Sequence, residues 1–260
     1  MSGKIDDPLD ASLEAWPKEP DGLGGKFAAL VLKFGESVLP LAAIQKIFED
    51  QFSHANRIGR LEYLFDAIAI KFKLIEPEIA NSAEKLRAVN ARLETQPFQR
   101  AVATAFEEAL RATDREKIEQ LSAVLVGSLV PSQWADPNAD LAALVRDLAQ
   151  LGSEDIRALD VLRTAFREII SNPSNLNDPN QFAERMQDYR SAIQVNRIDP
   201  ENFYASCARL NGFGLAIEVV RNPHKMHPNE YLFRPTRRGV ALVDCLERFP
   251  KGVQHNTKNA

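Results

Sequence analysis

Asn202, Ser206 and Arg209 are spaced i, i+4 and i+7, which brings an amide, a hydroxyl and a guanidinium to one side of a helix. Those groups can hydrogen-bond the edges of nucleic-acid bases. Nearby in sequence stand Arg221, Lys225, Arg234, Arg237 and Arg238, with Arg248 beyond them. Such a basic set can neutralise phosphates. Arg237 and Arg238 open the last expected helix, where the positive end of the macrodipole disfavours cations. That placement favours an anion-binding use. The plainer alternative is a solvated polar face, and Asp199 and Glu201 would meet phosphates at the entering end of the Asn202 helix.

Other chemistry finds less in the chain. His224, His227, Cys207 and Cys245 could supply four zinc ligands by type. The cysteines fall on expected core stripes, however, and the histidines lack a helical His-x-x-x-His, so no metal is expected. Gly212-Phe-Gly214 lacks the third glycine and the helix start of a dinucleotide loop. Neither a phosphate loop nor a nucleophile elbow occurs. Glu107-Glu108 and Glu154-Asp155 are adjacent on helices and diverge, so neither forms an acid–base couple. No cofactor and no catalytic residue are expected.

The 260 residues suit one large or two modest domains. The formal net charge of −4 gives no global attraction to polyanions. Its distribution is uneven. Residues 1–22 carry two lysines and six acids, a net −4, whereas residues 200–260 carry nine basic residues and five acids, a net +4. Local charge governs encounter. Two cysteines are too few for a disulfide framework and suit a reducing cytoplasm. The apolar stretch Phe27 to Ile44 is broken by Lys33, Glu36 and Pro40, so a soluble helix pair is expected there and no membrane partner.

The longest patterned element is Ile58 to Leu93. Ile58, Leu61, Phe65, Ile68, Phe72, Ile75, Ile79, Leu86, Val89 and Leu93 recur in steps of three and four, interrupted only at Ser82. This heptad spacing predicts a long helix packed along another, with a kink or a helix junction at Pro77. It follows a helical region from Lys26 to about Phe52. Beyond the seam, Gln96-Pro97 starts a helix with Phe98, Val102, Phe106 and Leu110 on one face. Thr113 and Glu116 form a capping box before an apolar helix that Pro131 stops. Trp134 reads as a loop anchor between Pro131 and Pro137. Leu141, Leu144, Leu148 and Leu151 mark a short helix ended by Gly152, and Ser153 caps the next, with Ile156, Leu159, Leu162, Phe166 and Ile169 on its face. After Pro131, three Asp-Pro pairs, at Asp136, Asp178 and Asp199, offer helix starts. An Asn-rich loop from Ser171 to Asn180 precedes a helix with Phe182, Met186, Tyr189 and Ile193. The period then changes to two: Phe213, Leu215, Ile217 and Val219 alternate, then Tyr231 and Phe233, predicting one β-hairpin. Thr236 caps a last helix with Leu242, Cys245, Leu246 and Phe249 on its apolar side.

From Ser153 the order is helix, helix, helix, strand, loop, strand, helix. With Leu210-Asn-Gly-Phe-Gly-Leu215 and Tyr231-Leu-Phe-Arg-Pro-Thr-Arg-Arg-Gly239, residues 153–248 resemble winged helix-turn-helix domains. More loosely, residues 95–248 resemble a group of uncharacterised helical bacterial and prophage proteins, through Glu116-Lys117 and Leu141 to Leu159. That group brings no activity with it. The winged-helix resemblance implies that a third helix, Pro200 to Asn211, enters a DNA major groove while the hairpin meets the backbone.

The expected fold is mostly α: a loose tail (1–23), an N-terminal helical bundle with a long heptad helix (24–151), a C-terminal winged-helix-like domain with one β-hairpin (152–249), and a C-terminal tail (250–260). The leading expectation is a non-enzymatic bacterial interaction or regulatory protein, with DNA as partner of the C-terminal domain. The rival is a structural protein whose seam binds a protein partner or a second copy, and an enzyme with a scattered site comes third.

Overall fold

The computed structural model describes residues 51–130, 140–166, 191–218 and 233–249. These are mostly helical, with one small antiparallel sheet. Their contacts divide the chain into two compact units. The first comprises Met1–Pro131, Asp140–Ala149 and Cys245–Ala260; the second comprises Ser132–Ala139 and Gln150–Asp244.

Among the described residues, the first unit holds α1 (Gln51–Ala80), α2 (Ala83–Leu93), α3 (Gln96–Arg111), α4 (Arg115–Gly127) and α5 (Leu141–Gln150). α1 is already continuous at Gln51, so no boundary follows Phe52. Pro77 does not divide it either. Proline removes one amide donor, and the helix runs on to Ala80, with the Asn81 amide bonding to the Pro77 carbonyl at 3.3 Å. The junction falls at Asn81–Ser82, where the Ser82 hydroxyl accepts from the Lys85 amide and caps α2. The residue that interrupts the apolar series is therefore the cap of the next helix.

α1 buries Leu61, Leu64, Phe65, Ala67, Ile68, Ala69, Phe72, Ile75 and Ile79. This face is wider than two positions per heptad, because α2, α3 and most extensively α4 all pack on α1. Phe65 meets Phe106 of α3 with ring centres 5.2 Å apart and planes tilted by 54°. α4 is buried on nearly every side from Ile118 to Gly127. It ends there, three residues before the expected stop, with Ser128 closing it. Its cap is Asp114, whose carboxylate accepts from the Lys117 amide at 2.7 Å, and not Thr113. Asp114 stands directly before Arg115, one residue nearer the helix, and its carboxylate takes the amide. At Gly127 an added Cβ would come within 3.0 Å of Cys245, so the small residue permits that close approach.

In the second unit, α6 (Ser153–Ala165) and α7 (Pro200–Gly212) pack together, and β1 (Ala216–Glu218) pairs antiparallel with β2 (Phe233–Pro235) before α8 (Arg237–Glu247), whose residues from Cys245 on belong to the first unit. Ala216 faces Pro235, Ile217 faces Arg234, and Glu218 faces Phe233. The expected alternation is corrected here: Phe213 closes α7, Ala216 is buried, and Ile217 is exposed on the outer side with Arg234. Residues 191–195 are helical, with Ile193 buried. Both tails, the 27–44 stretch, Trp134, the 171–180 loop, Phe182, Met186, Tyr189, Val219 and Tyr231 lie outside the described residues. Among the described residues, no helix is long and apolar enough to cross a membrane.

Candidate nucleic-acid interface

The residues expected to read bases sit on α7. Asp199 caps it by accepting from the Asn202 amide at 3.0 Å, and Pro200 takes the first helical position. Phe203, Cys207 and Leu210 are fully buried and fix its rotation. The far end closes through glycine. Gly214 holds φ +66°, its amide reaches the Asn211 carbonyl, and the Leu215 amide reaches Leu210 at 2.9 Å. This is a Schellman closure, which needs a left-handed residue where Gly214 stands. It explains the Leu210-Asn-Gly-Phe-Gly-Leu215 string as a helix stop leading into β1.

Ser206 does not point outward. It is 1% exposed, and its hydroxyl accepts from Arg209 Nη2 at 3.0 Å. At about 100° per residue, Ser206 lies only about 40° from the direction of Leu210, so the i, i+4, i+7 spacing did not guarantee exposure. Arg209 is 53% exposed yet committed: Nε and Nη2 donate to Asp155 Oδ1 of α6 at 2.9 and 2.6 Å. The second oxygen, Asp155 Oδ2, accepts from the Gly152 amide at 2.9 Å. Gly152, not Ser153, is thus the cap position of α6, and Asp155 supplies the capping carboxylate. Burial pushes the Asp155 carboxyl up. Hydrogen bonds from Arg209, the Gly152 amide and Ser206, together with the Arg209 charge, outweigh it and hold the pKa below the usual carboxylate value.

Arg238 is also engaged. Its Nη1 donates to the Phe213 carbonyl at 2.8 Å, at the end of α7 where carbonyls lack helical donors. Thr236 ties the same corner: its hydroxyl donates to the Gly214 carbonyl at 2.8 Å and accepts from the Gly239 amide at 3.0 Å, which caps α8 as expected. A Cβ at Gly239 would overlap the Leu215 carbonyl oxygen, so the corner admits only glycine there. Asn202 and Arg237 are exposed, and Arg234 is half-buried on β2. Arg221, Lys225, His224 and His227 lie outside the described residues. Cys207 is buried in the second unit, and Cys245 lies against Gly127 in the first; both are free thiols. Among the described residues, no three His, Cys, Asp or Glu side chains gather as a metal site.

Sequence reasoning missed Asp155. Its only local signal is an acid in the first turn of a helix, three residues after a glycine. It also missed a polar cluster in the first unit, where Glu119 of α4 receives Lys71 Nζ and the Tyr63 hydroxyl of α1, the latter at 2.8 Å. The Arg115 guanidinium lies 5.3 Å from the centre of the Tyr63 ring. Burial, reinforced by the hydrogen bond to Glu119 and that residue's charge, pushes the Tyr63 hydroxyl up to about 12. Comparison of the chain with family models, with curated proteins and with solved structures finds no match in any of the three.

Proposed function

We propose that the chain is a non-enzymatic interaction protein whose second unit is a winged-helix-like module used for packing or for contact with a protein partner. The observation that carries this reading is the state of α7. Ser206 is buried and Arg209 is held by Asp155, so two of the three polar groups suited to base edges serve the unit's own packing. Asp199 and Glu201 stand exposed at the start of the same helix and oppose phosphate approach. The rival use of the 58–93 seam for a second copy is weakened, because Leu61, Phe65, Ile68, Phe72, Ile75 and Ile79 are buried within the single chain.

A second reading is favoured by exposed Arg237 and by the net +4 of residues 200–260: sequence-blind contact with a nucleic-acid backbone. Arg234, Arg237, Arg221 and Lys225 would carry it, with no base preference. Titration of labelled duplexes at about 50 mM salt separates the two, since electrostatic binding is strongest at low salt. The leading reading expects no association. Salt-dependent binding that weakens in Arg234→Glu/Arg237→Glu would establish the second. A preference of about 1–3 kcal/mol for one sequence, lost in Arg209→Ala, would overturn both.

A further inference from the structure

In the first unit, Arg100 of α3 and Arg146 of α5 line one open cavity of about 310 Å³ with Thr104, Asp140, Ala103 and Ala142. The alanines leave the space, since longer side chains at those positions would fill it. Thr104 is buried and its hydroxyl donates to the Arg100 carbonyl at 2.9 Å, which fixes the α3 wall. Asp140 caps α5 by accepting from the Ala143 amide at 3.1 Å. Among the described residues neither Arg100 nor Arg146 has an ion-pair or hydrogen-bond partner for its guanidinium. Three other arginines of the unit are engaged: Arg60 donates to the Leu110 carbonyl, Arg111 pairs with Glu108, and Arg248 pairs with Glu78. Two forked donors from different helices therefore line one concave site without a partner among the described residues.

We propose that this cavity binds a small phosphate-class oxyanion, either free phosphate or the phosphate of a monoester. Guanidinium forks match the paired oxygens of a phosphate. The two arginines exceed the one carboxylate, Asp140, so the site keeps a net positive charge. The first amides of α5 add their dipole on the same side. Asp140 sets the affinity in the opposite sense: it opposes the anion while it caps the helix. This inference concerns a different unit from the reading above and stands or falls apart from it.

The test is calorimetric titration of the full chain with inorganic phosphate and, separately, with phenyl phosphate, at low ionic strength. Saturable binding of either should weaken at least about tenfold in Arg100→Gln and in Arg146→Gln, because each loses a hydrogen bond to a charged group. Asp140→Asn should tighten binding, since asparagine keeps the cap and removes the opposing charge. Lys73→Gln, at an exposed lysine outside the cavity, should change nothing. Tighter binding of phenyl phosphate than of phosphate would assign a monoester; the reverse would assign the free ion. Absence of saturable binding by the folded wild type, or equal weakening by Lys73→Gln and Arg100→Gln, would overturn the proposal.

Discussion

The two units each join a pair of helices by one ion pair, and the two pairs are built in opposite senses. Between α1 and α4 the cation is the buried member: the Lys71 side chain is 9% exposed and Glu119 is 36% exposed. Between α6 and α7 the anion is buried: Asp155 is 4% exposed and Arg209 is 53% exposed. The buried group in each case has more than one reason to be where it is. The Lys71 stem lies among the apolar residues of α1 while its ammonium reaches Glu119, which Tyr63 also holds. Asp155 both binds Arg209 and takes the Gly152 amide. The comparison teaches that a buried charge of either sign is tolerated here where it is fully partnered.

The sharpest break of that rule is a buried charge with no partner. Ile68 is fully buried on α1, and Ile68→Asp would place a carboxylate there without a cation. It should cost about 4 kcal/mol or leave the protein insoluble, as read from denaturant unfolding. An unchanged midpoint would show that burial alone is cheap, and the comparison would lose its basis. Next comes Glu119→Ala, which strands the Lys71 ammonium and frees the Tyr63 hydroxyl. Partial exposure of Glu119 limits the loss to about 2 kcal/mol.

Tyr63→Phe should cost about 1 kcal/mol, the net value of one hydrogen bond. It also carries an alkaline signature. The folded hydroxyl is raised to about 12 from the usual tyrosine value, so its contribution is complete below the unfolded pKa of about 10 and is lost as pH rises through the folded value. The wild type should lose stability over that interval, and Tyr63→Phe should lose less. A tyrosinate absorbance titration in which every tyrosine titrates near the usual value of about 10 would contradict the cluster.

Arg209→Ala should cost no more than this at neutral pH, about 1 kcal/mol, because the exposed guanidinium is screened. Its signature is acidic. The folded Asp155 carboxyl is depressed, so its contribution is present above the unfolded carboxyl pKa, about 3.9, and is lost as pH falls through the folded value. Without Arg209, burial acts with less opposition and the acid loss should begin at higher pH. Coincident acid transitions in the variant and the wild type would mean that Arg209 does not hold Asp155.

The mostly helical architecture and the small hairpin were legible because each rests on local signals. Thr95 before Gln96-Pro97 and Asp199 before Pro200 are caps that proline reinforces, and Thr236, directly before α8, caps it at the Gly239 amide. Pro77 deletes a single hydrogen bond and leaves α1 running to Ala80, whereas Ser82 offers a replacement acceptor and so fixes the junction. Asp155 and Arg209 were illegible as a pair. They stand 54 residues apart, and a single cross-helix contact leaves no period in a sequence. Arg100 and Arg146 were passed over for the same reason: their meeting depends on how α3 and α5 pack, which no spacing within either helix records.

The central claim is that Ser206 and Arg209, two of the three polar groups expected to face outward from α7, are held by the second unit itself, Arg209 through Asp155. A double-mutant cycle on these two, with Asp155→Asn, Arg209→Ala and the double variant compared by urea unfolding, tests it most directly. Asparagine keeps an acceptor for the Gly152 amide, so the cycle isolates the ion pair. A coupling energy of about 1–2 kcal/mol is expected, with the double variant less destabilised than the sum of the singles. Additivity within about 0.5 kcal/mol would contradict the account and return Arg209 to the face available for reading bases.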